Sequence, residues 1–244
     1  MILDLVCVSP EQHTLAKELA DSLSASLNTS QASSKKPYLD LSEDGLAFFH
    51  PAARSRKKLL IDFNSGASRW RIERASHEKL IKKALGRSNA PLNILDCTAG
   101  LLQDTLVFLS LGHRVTALEQ SRIMFHLLED AIHRSEDSSI FKNLDLINEE
   151  ACSYTRELKN IDVVYFDPMY PKTKKSALSS GQLEYVEKVL EVESVSNNAA
   201  KEFEVLQSIP KKKLIVKRPI KAEPFSQELN YQVFGKTTRF DVYL

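Results

Sequence analysis

The sequence has few cysteines and no pattern of metal-binding residues. Its 244 residues include three cysteines, Cys7, Cys97 and Cys152, which lie far apart and form no Cys-x-x-Cys pair. An odd number of scattered cysteines argues against a disulfide framework and against a zinc site. The six histidines show no metal-ligand spacing, so we expect the protein to bind no metal.

Glycine-rich nucleotide-binding loops are also missing. The chain has seven glycines, and they form neither a Gly-x-Gly-x-x-Gly nor a Gly-x-x-x-x-Gly-Lys-Ser/Thr segment. A bound pyrophosphate or triphosphate usually depends on one of these loops. A dinucleotide or a nucleoside triphosphate is therefore a poor candidate for the cofactor.

Long apolar runs and a strong net charge are absent as well. The chain has no run of about 18 apolar residues, and its start, Met1 to Val8, lacks the basic residues of a signal peptide. We expect a soluble, cytoplasmic protein that does not contact membranes. The formal net charge is +1 at pH 7, so any nucleic-acid binding must depend on a local basic patch.

The residues that are present predict two parts, and the first, residues 1–88, has the mixed pattern of a small α+β subdomain. Its predicted elements are strands at 2–8, 38–42, 46–50 and 59–63, a helix from a capping box at Ser9 and Gln12 to about Leu27, and a helix at 72–85.

Residues 89–244 alternate between strand and helix patterns. Strands are predicted at 93–96, 114–119, 144–147, 161–166 and 213–217, and helices at 103–111, 121–134, 151–158 and 183–207. This alternation is typical of an α/β fold with a doubly wound, mostly parallel sheet. A terminal hairpin at 231–235 and 239–244 completes a predicted seven-stranded sheet.

The loop after the first of these strands is a candidate cofactor site, because ligands of doubly wound sheets lie beyond the carboxyl ends of the strands. It runs from Asp96 through Thr98, Ala99 and Gly100 to Asp104. Small residues let the backbone approach a ligand closely, and two carboxylates suit a cofactor with a cationic amino-acid tail. An ordinary tight turn between strand and helix is the alternative interpretation.

Further acids follow the next strands. Glu119 lies roughly 20 residues beyond the loop, where doubly wound folds bind both ribose hydroxyls. Glu150 and Ala151 follow the third strand, where an acceptor or a backbone amide can meet an adenine ring. The acids after the first, second and fourth strands, Asp96, Glu119 and Asp167, together fit S-adenosylmethionine better than NAD or a nucleoside triphosphate.

The heptapeptide Tyr165 to Pro171 ends the fourth strand. The Asp167 carboxylate and the neighbouring carbonyls can accept hydrogen bonds from an exocyclic amine, while the Tyr170 ring can stack on the base that carries it. This arrangement suits an enzyme that modifies a flipped-out nucleobase. Alternatively, Asp167 and Pro168 form a simple strand-end turn and Tyr170 packs in the core.

Two groups of cations are candidate RNA-binding residues. The first follows the fourth and fifth strands, and the second flanks Trp70. Cations mixed with an aromatic ring suit looped or single-stranded RNA, although solvated charge runs give the same pattern. The candidates are Lys172, Lys174, Lys175, Lys217 and Arg218 in the first group and Arg69 and Arg71 in the second.

Several of these segments together resemble the RsmJ family of bacterial methyltransferases, which act on the N2 amine of a guanine in 16S ribosomal RNA. The resemblance lies in Asp96 to Leu101 with Asp104, in Leu118 and Glu119, in Val163 to Pro171 followed by Lys174 to Leu178, and in Val216 to Pro219. The stretch from Val163 to Leu178 is its most specific part.

This resemblance implies a Rossmann-like class I methyltransferase fold, S-adenosylmethionine as the cofactor, and 16S rRNA or the small ribosomal subunit as the partner, with residues 1–88 on the RNA side. It implies catalytic roles for Asp167, Pro168 and Tyr170. The implied cofactor contacts are Asp96, Thr98, Gly100, Gln103, Asp104, Glu119, Gln120, Glu150, Ala151 and Asp167.

The chain departs from the family pattern in the cofactor loop and after the third strand. Leu102 stands where the family has glycine, Gln103 where it has arginine, and Glu150 with Ala151 where it has two serines. Two other functions are compatible with the same residues. One is methylation of another planar amine, such as adenine N6 or a glutamine amide, and the other is a non-catalytic role in RNA binding and assembly.

Overall fold

The computed structural model describes residues 3–30, 33–55, 57–154, 160–170, 181–195, 198–209 and 211–244. The chain forms two compact units. One combines Met1–Asn64, Ser121–Glu136 and Lys172–Ser196, and the other combines Ser65–Gln120, Asp137–Pro171 and Asn197–Leu244. The sequence-based division of the chain at residue 88 stays a prediction.

The described residues form twelve strands and seven α-helices. The strands are β1 (Asp4–Cys7), β2 (Ser26–Asn28), β3 (Tyr38–Ser42), β4 (Gly45–Phe49), β5 (Leu59–Leu60), β6 (Asn93–Asp96), β7 (Arg114–Leu118), β8 (Leu144–Ile147), β9 (Val163–Phe166), β10 (Lys213–Pro219), β11 (Tyr231–Phe234) and β12 (Thr238–Tyr243). The helices are α1 (His13–Leu23), α2 (Gly66–Glu73), α3 (Lys79–Leu85), α4 (Gln103–Ser110), α5 (Arg122–His133), α6 (Gln182–Glu193) and α7 (Ala199–Ser208). Within these ranges, no helix is long and apolar enough to cross a membrane.

The first unit contains a five-stranded sheet in the order β2-β1-β3-β4-β5. The central strand β1 pairs in parallel with β2 and β3, whereas β3 and β4 form the predicted antiparallel pair. Side chains of β3 alternate between buried and half-buried positions, as expected for a strand that presents one face to a core. Leu5, Leu39 and Phe48 are fully buried in this unit.

The second unit contains the predicted seven-stranded sheet, in the order β11-β12-β10-β9-β6-β7-β8. Strands β6 to β10 are mutually parallel, and β12 runs antiparallel between β10 and β11. All four residues of β9 are buried, as in strands covered on both faces. The predicted α/β fold class is confirmed.

Three predicted helices differ from the structure because polar residues interrupt them. The helix predicted at 183–207 is two helices. Ser194, with a left-handed φ of 55°, ends α6 after Glu193, and the Asn198 side chain caps α7 by accepting from the Lys201 N–H. Likewise, α1 ends at Leu23 rather than Leu27, because Ser24 takes a left-handed φ of 53°. The helix predicted at 72–85 covers only the last two residues of α2, then the 3-10 turn Ala75–His77 and α3, and the earlier part of α2 was not predicted.

Two further local predictions were wrong in detail. The Ser9 side chain makes no capping hydrogen bond, because Pro10–Gln12 form a 3-10 turn rather than the start of an α-helix. Residues 151–153 of the helix predicted at 151–158 form a turn and residue 154 is not helical, and residues 155–158 lie outside the described residues.

Candidate active site at the carboxyl edge of the parallel sheet

The strand register brings the predicted acids to one edge of the seven-stranded sheet. Asp96, the last residue of β6, pairs with Tyr165 of β9 and with Ala117 of β7. Val216 of β10 pairs with Phe166 of β9. Asp167 and Lys217 therefore lie side by side, each one residue beyond the last paired residues of β9 and β10.

The loop after β6 is fastened to the ends of its neighbouring strands. The Asp96 carboxylate accepts hydrogen bonds from the Thr98 N–H at 3.0 Å and from the Thr105 hydroxyl at 2.5 Å. The Gly100 N–H donates to Glu119 Oε2 at 3.0 Å, and Gly100 has a φ of 52°, which favours glycine. Burial raises the pKa of Asp96 to about 6.

Leu102 and Gln103, the departures from the family pattern, have separate structural roles. Leu102 has a φ of 57° in the left-handed region, and its side chain is 0% exposed. Its bulk therefore lies in the core. The Gln103 side chain donates from Nε2 to the Ser68 hydroxyl of α2 at 3.1 Å, which links the start of α4 to α2.

Asp104 is a buried carboxylate with three donors. Oδ1 accepts from Arg71 Nη2 at 2.7 Å, and Oδ2 accepts from the Tyr165 hydroxyl at 2.6 Å and from Lys217 Nζ at 2.7 Å. Burial alone would raise the pKa of Asp104, but the charge of Lys217 and these hydrogen bonds hold it below its ordinary value. Asp104 is therefore ionised throughout the neutral range.

Asp167 lies on the other side of the Lys217 ammonium. Its Oδ2 is 2.8 Å from Lys217 Nζ, and its side chain is 31% exposed. Its backbone N–H donates to the Thr98 hydroxyl at 2.8 Å, which fixes the start of the heptapeptide against the β6 loop. Burial raises the pKa of Asp167 to about 6, although the charge of Lys217 opposes the rise.

The rest of the described heptapeptide packs against β10. Pro168 is buried and Tyr170 is half-buried, and the Tyr170 hydroxyl donates to the Lys217 carbonyl. The Arg218 guanidinium carbon lies 4.9 Å from the centre of the Tyr170 ring and 3.9 Å from that of Phe225. Stacked cations of this kind hold an aromatic ring in one orientation.

The remaining predicted cofactor residues surround the ends of β7 and β8. Glu119 is buried, with its backbone carbonyl accepting from Asn148 Nδ2 at 2.7 Å. Gln120 and Glu150 are exposed, and Ala151 is buried. The edge thus presents two exposed polar side chains beside the buried acids.

Most of the predicted RNA-binding residues have internal partners or cannot be placed. Lys172, Lys174 and Lys175 lie outside the described residues. Arg71 and Lys217 pair with carboxylates at this edge, and Arg218 is 8% exposed. Arg69 is exposed and forms an ion pair with Glu73 at 2.7 Å. Their binding of RNA stays a prediction.

Sequence reasoning missed that Lys217, Arg71 and Tyr165 converge on Asp104. Lys217 could have been found from strand register, because its place beside Asp167 follows from pairing the apolar runs of β9 and β10. Arg71 could not, since it comes from a helix well before the sheet begins. In the part of the chain that is described, no cluster of His, Cys, Asp and Glu could hold a metal ion.

Comparison with known proteins identifies the family. A family model described as "putative SAM-dependent methyltransferase" matches residues 22–244. Ribosomal RNA small subunit methyltransferase J from Francisella tularensis subsp. novicida is 36% identical over 213 residues, covering 84% of this chain and 86% of that protein. The chain belongs to this methyltransferase family. The protein of the same name from Francisella philomiragia is 36% identical over 195 residues, covering 77% of this chain and 80% of the relative.

A solved structure agrees with this family membership. The SAM-dependent methyltransferase NGO1261 from Neisseria gonorrhoeae superposes with a TM-score of 0.71 and 28% identity, covering 99% of this chain and 95% of that one. The predicted methyltransferase class, its fold and its dependence on S-adenosylmethionine are thereby confirmed.

Proposed function

We propose that the protein transfers a methyl group from S-adenosylmethionine to the exocyclic N2 amine of a guanine in 16S ribosomal RNA. Relatives that are 36% identical to the chain over 213 and 195 aligned residues are named as ribosomal RNA small subunit methyltransferases. The observation that carries the proposal is Asp167, a carboxylate at the carboxyl end of β9 whose backbone is tied to the cofactor loop by Thr98.

The residues at this edge fit S-adenosylmethionine. Glu119, at the tip of β7, is the proposed ligand of the ribose hydroxyls. The loop from Asp96 through Thr98 to Gly100 would hold the nucleoside, and Asp104 would supply the negative charge for the α-ammonium. Gln120, Glu150 and Ala151 are the proposed neighbours of the adenine ring, and Gln103 positions α4 through its bond to Ser68.

The cofactor, when bound, supplies an activated methyl group on a sulfonium centre. The protein must hold the guanine amine in line with the sulfur–carbon bond and exclude water. The lone pair of that amine is delocalised into the base. Hydrogen bonds from the NH2 group to the Asp167 carboxylate and to the Pro168 carbonyl orient the lone pair towards the methyl group.

Lys217 keeps the Asp167 carboxylate in its accepting form. Burial opposes ionisation of Asp167, whereas an ammonium at 2.8 Å favours it. Burial alone would lower the pKa of Lys217, but Asp104 and Asp167 together raise it, so the ammonium stays protonated. When the amine takes up the methyl group, Asp167 would accept the proton that the amine loses.

Tyr170 is the proposed stacking partner of the target base. Arg218 lies over one face of its ring, and its hydroxyl is bonded to the Lys217 carbonyl, so the ring is oriented before the base arrives and its other face is the proposed stacking surface. A preset aromatic surface lowers the entropic cost of holding a flipped-out base.

RNA phosphates are the proposed contacts of Lys172, Lys174, Lys175 and Arg69, with residues 1–88 on the RNA side. Arg71, Lys217 and Arg218 are better assigned to the active site, because their cations face carboxylates and aromatic rings. Because the proposed substrate is ribosomal RNA, the protein is expected to act in the bacterial cytoplasm. The substrate is either naked 16S rRNA or the small ribosomal subunit.

Transfer of labelled methyl groups from S-adenosylmethionine to 16S rRNA lacking the modification tests this proposal. Asp167→Ala should lower the single-turnover rate by roughly a hundredfold or more, because a charge-assisted hydrogen bond and the amine orientation are both lost. Asp145→Ala, which removes an exposed acid of β8, is the matched control and should keep full activity. Unchanged transfer by Asp167→Ala would show that Asp167 does not hold the amine, and labelling of adenine or protein instead would support the other planar-amine substrates.

A further inference from the structure

Arg71 carries a buried donor that the protein itself leaves unused. Its side chain is 25% exposed and is held by an ion pair from Nη2 to Asp104 Oδ1 at 2.7 Å. Arg71 Nε is buried and has no hydrogen-bond partner among the described residues. Burying an N–H without an acceptor costs free energy. We therefore expect a bound ligand to supply the acceptor for Arg71 Nε.

The position of Arg71 narrows the chemistry of that acceptor. The proposed function assigns Asp104 to the α-ammonium of the cofactor. In an α-amino acid the ammonium and the carboxylate are bonded to the same carbon, so their protein ligands must be neighbours. An acid and an arginine joined at 2.7 Å are such a pair, and the guanidinium fork matches a carboxylate in shape and charge.

We propose that Arg71 binds the α-carboxylate of S-adenosylmethionine. This inference rests on the proposed function, because it uses the ammonium site at Asp104. Arg71 donates through Nε to the carboxylate while Nη2 keeps its bond to Asp104. The zwitterionic end of the cofactor thus meets a matching pair of opposite charges.

Lys217 is the competing cation, and its geometry makes it the weaker candidate. Its Nζ already contacts two carboxylates, at 2.7 Å on Asp104 and at 2.8 Å on Asp167. Gln103, at the start of α4, is uncharged and donates to Ser68. Arg71, in contrast to Lys217, is a cation beside Asp104 that still has a donor to offer. Its buried Nε–H has no acceptor among the described residues.

Calorimetric binding of two ligands to the full-length protein tests this assignment. The ligands are S-adenosylmethionine and decarboxylated S-adenosylmethionine, which keeps the amine and lacks the carboxylate. The wild-type protein should prefer the intact cofactor by about ten- to a hundredfold, as expected for one charge-assisted hydrogen-bonded contact. Arg71→Met should reduce this preference to about threefold or less. Arg71→Lys, which keeps the charge but loses the fork, should fall between them.

Arg74→Met is the control, because it removes an exposed cation at the end of the same helix and should keep the wild-type preference. Thermal unfolding of each variant confirms that the comparison is made on folded protein, and Arg71→Lys carries the test if Arg71→Met does not fold. A full preference retained by both Arg71 variants overturns the inference, as does a preference lost only in Lys217→Met. Failure of the wild-type protein to bind S-adenosylmethionine would instead refute the cofactor site as a whole.

Discussion

The pH dependence of methyl transfer should report the ionisation of Asp167. The carboxylate must be charged to accept hydrogen bonds from the target amine, and its pKa is raised by burial to about 6. At pH 5 only about a tenth of these groups remain ionised, so the single-turnover rate at saturating S-adenosylmethionine and RNA should be roughly tenfold below its value at pH 8. The rate should level off above pH 7.

Lys217→Met identifies the group whose protonation lowers the rate at low pH, which is the acid limb of the pH profile. Asp96 also has a pKa of about 6, but Lys217 is not among the groups that shift the pKa of Asp96. At Asp167, by contrast, Lys217 is the leading charge that opposes the rise in pKa. The charged groups that act on Asp167 are Lys217, Arg71 and Asp104. Removing the lysine cation should therefore move the midpoint of the acid limb to higher pH, and Lys217→Arg should restore it.

The assay is single-turnover transfer of labelled methyl groups between pH 5 and pH 9. Calorimetric binding of S-adenosylmethionine at pH 7.5 controls for loss of the cofactor site. An acid limb whose midpoint is the same in the wild-type protein and in Lys217→Met would refute the role of this ion pair.

Three substitutions test the structural part of the account through urea unfolding. Leu102→Gly relieves a left-handed backbone but removes a fully buried side chain, so the protein should lose about 1–3 kcal/mol of stability, and a gain would contradict this balance. Arg239→Met leaves the buried carboxylate of Asp241 without its main partner and should cost about 3–5 kcal/mol, whereas a loss below about 1 kcal/mol would show that the pair contributes little. Tyr165→Phe removes one donor from the Asp104 carboxylate and should cost about 1.5–3 kcal/mol, with unchanged stability as the opposing result.

The pattern of elements was predictable because the second half of the chain alternates short apolar runs with amphipathic segments. Parallel strands place the residues that follow them at one edge, so the order of strands along the chain was enough to assign Asp96, Glu119 and Asp167 to one site. Local polar runs were harder to interpret. Ser194 and Asn198 break a helical pattern through their own backbone conformation and side-chain capping, which apolar periodicity does not register.

The partners of the charged residues could not be predicted from composition or spacing. Lys217 and Arg218 are adjacent in sequence, but successive residues of a strand point to opposite faces. The Lys217 ammonium therefore contacts two carboxylates, whereas the Arg218 guanidinium stacks on Tyr170 and Phe225. From the sequence, both are candidate RNA-binding residues, because a basic pair after a strand is also typical of a phosphate-binding surface. Only the three-dimensional arrangement of the acids distinguishes the two cases.

The most direct test of the proposed activity is identification of the methylated nucleoside. 16S rRNA that lacks the modification is incubated with the protein and labelled S-adenosylmethionine, digested to nucleosides and analysed by mass spectrometry. The label should appear in N2-methylguanosine, and Asp167→Ala should slow its appearance by roughly a hundredfold or more. Label in N6-methyladenosine, or no labelled nucleoside from a protein that binds the cofactor, would contradict the proposed activity.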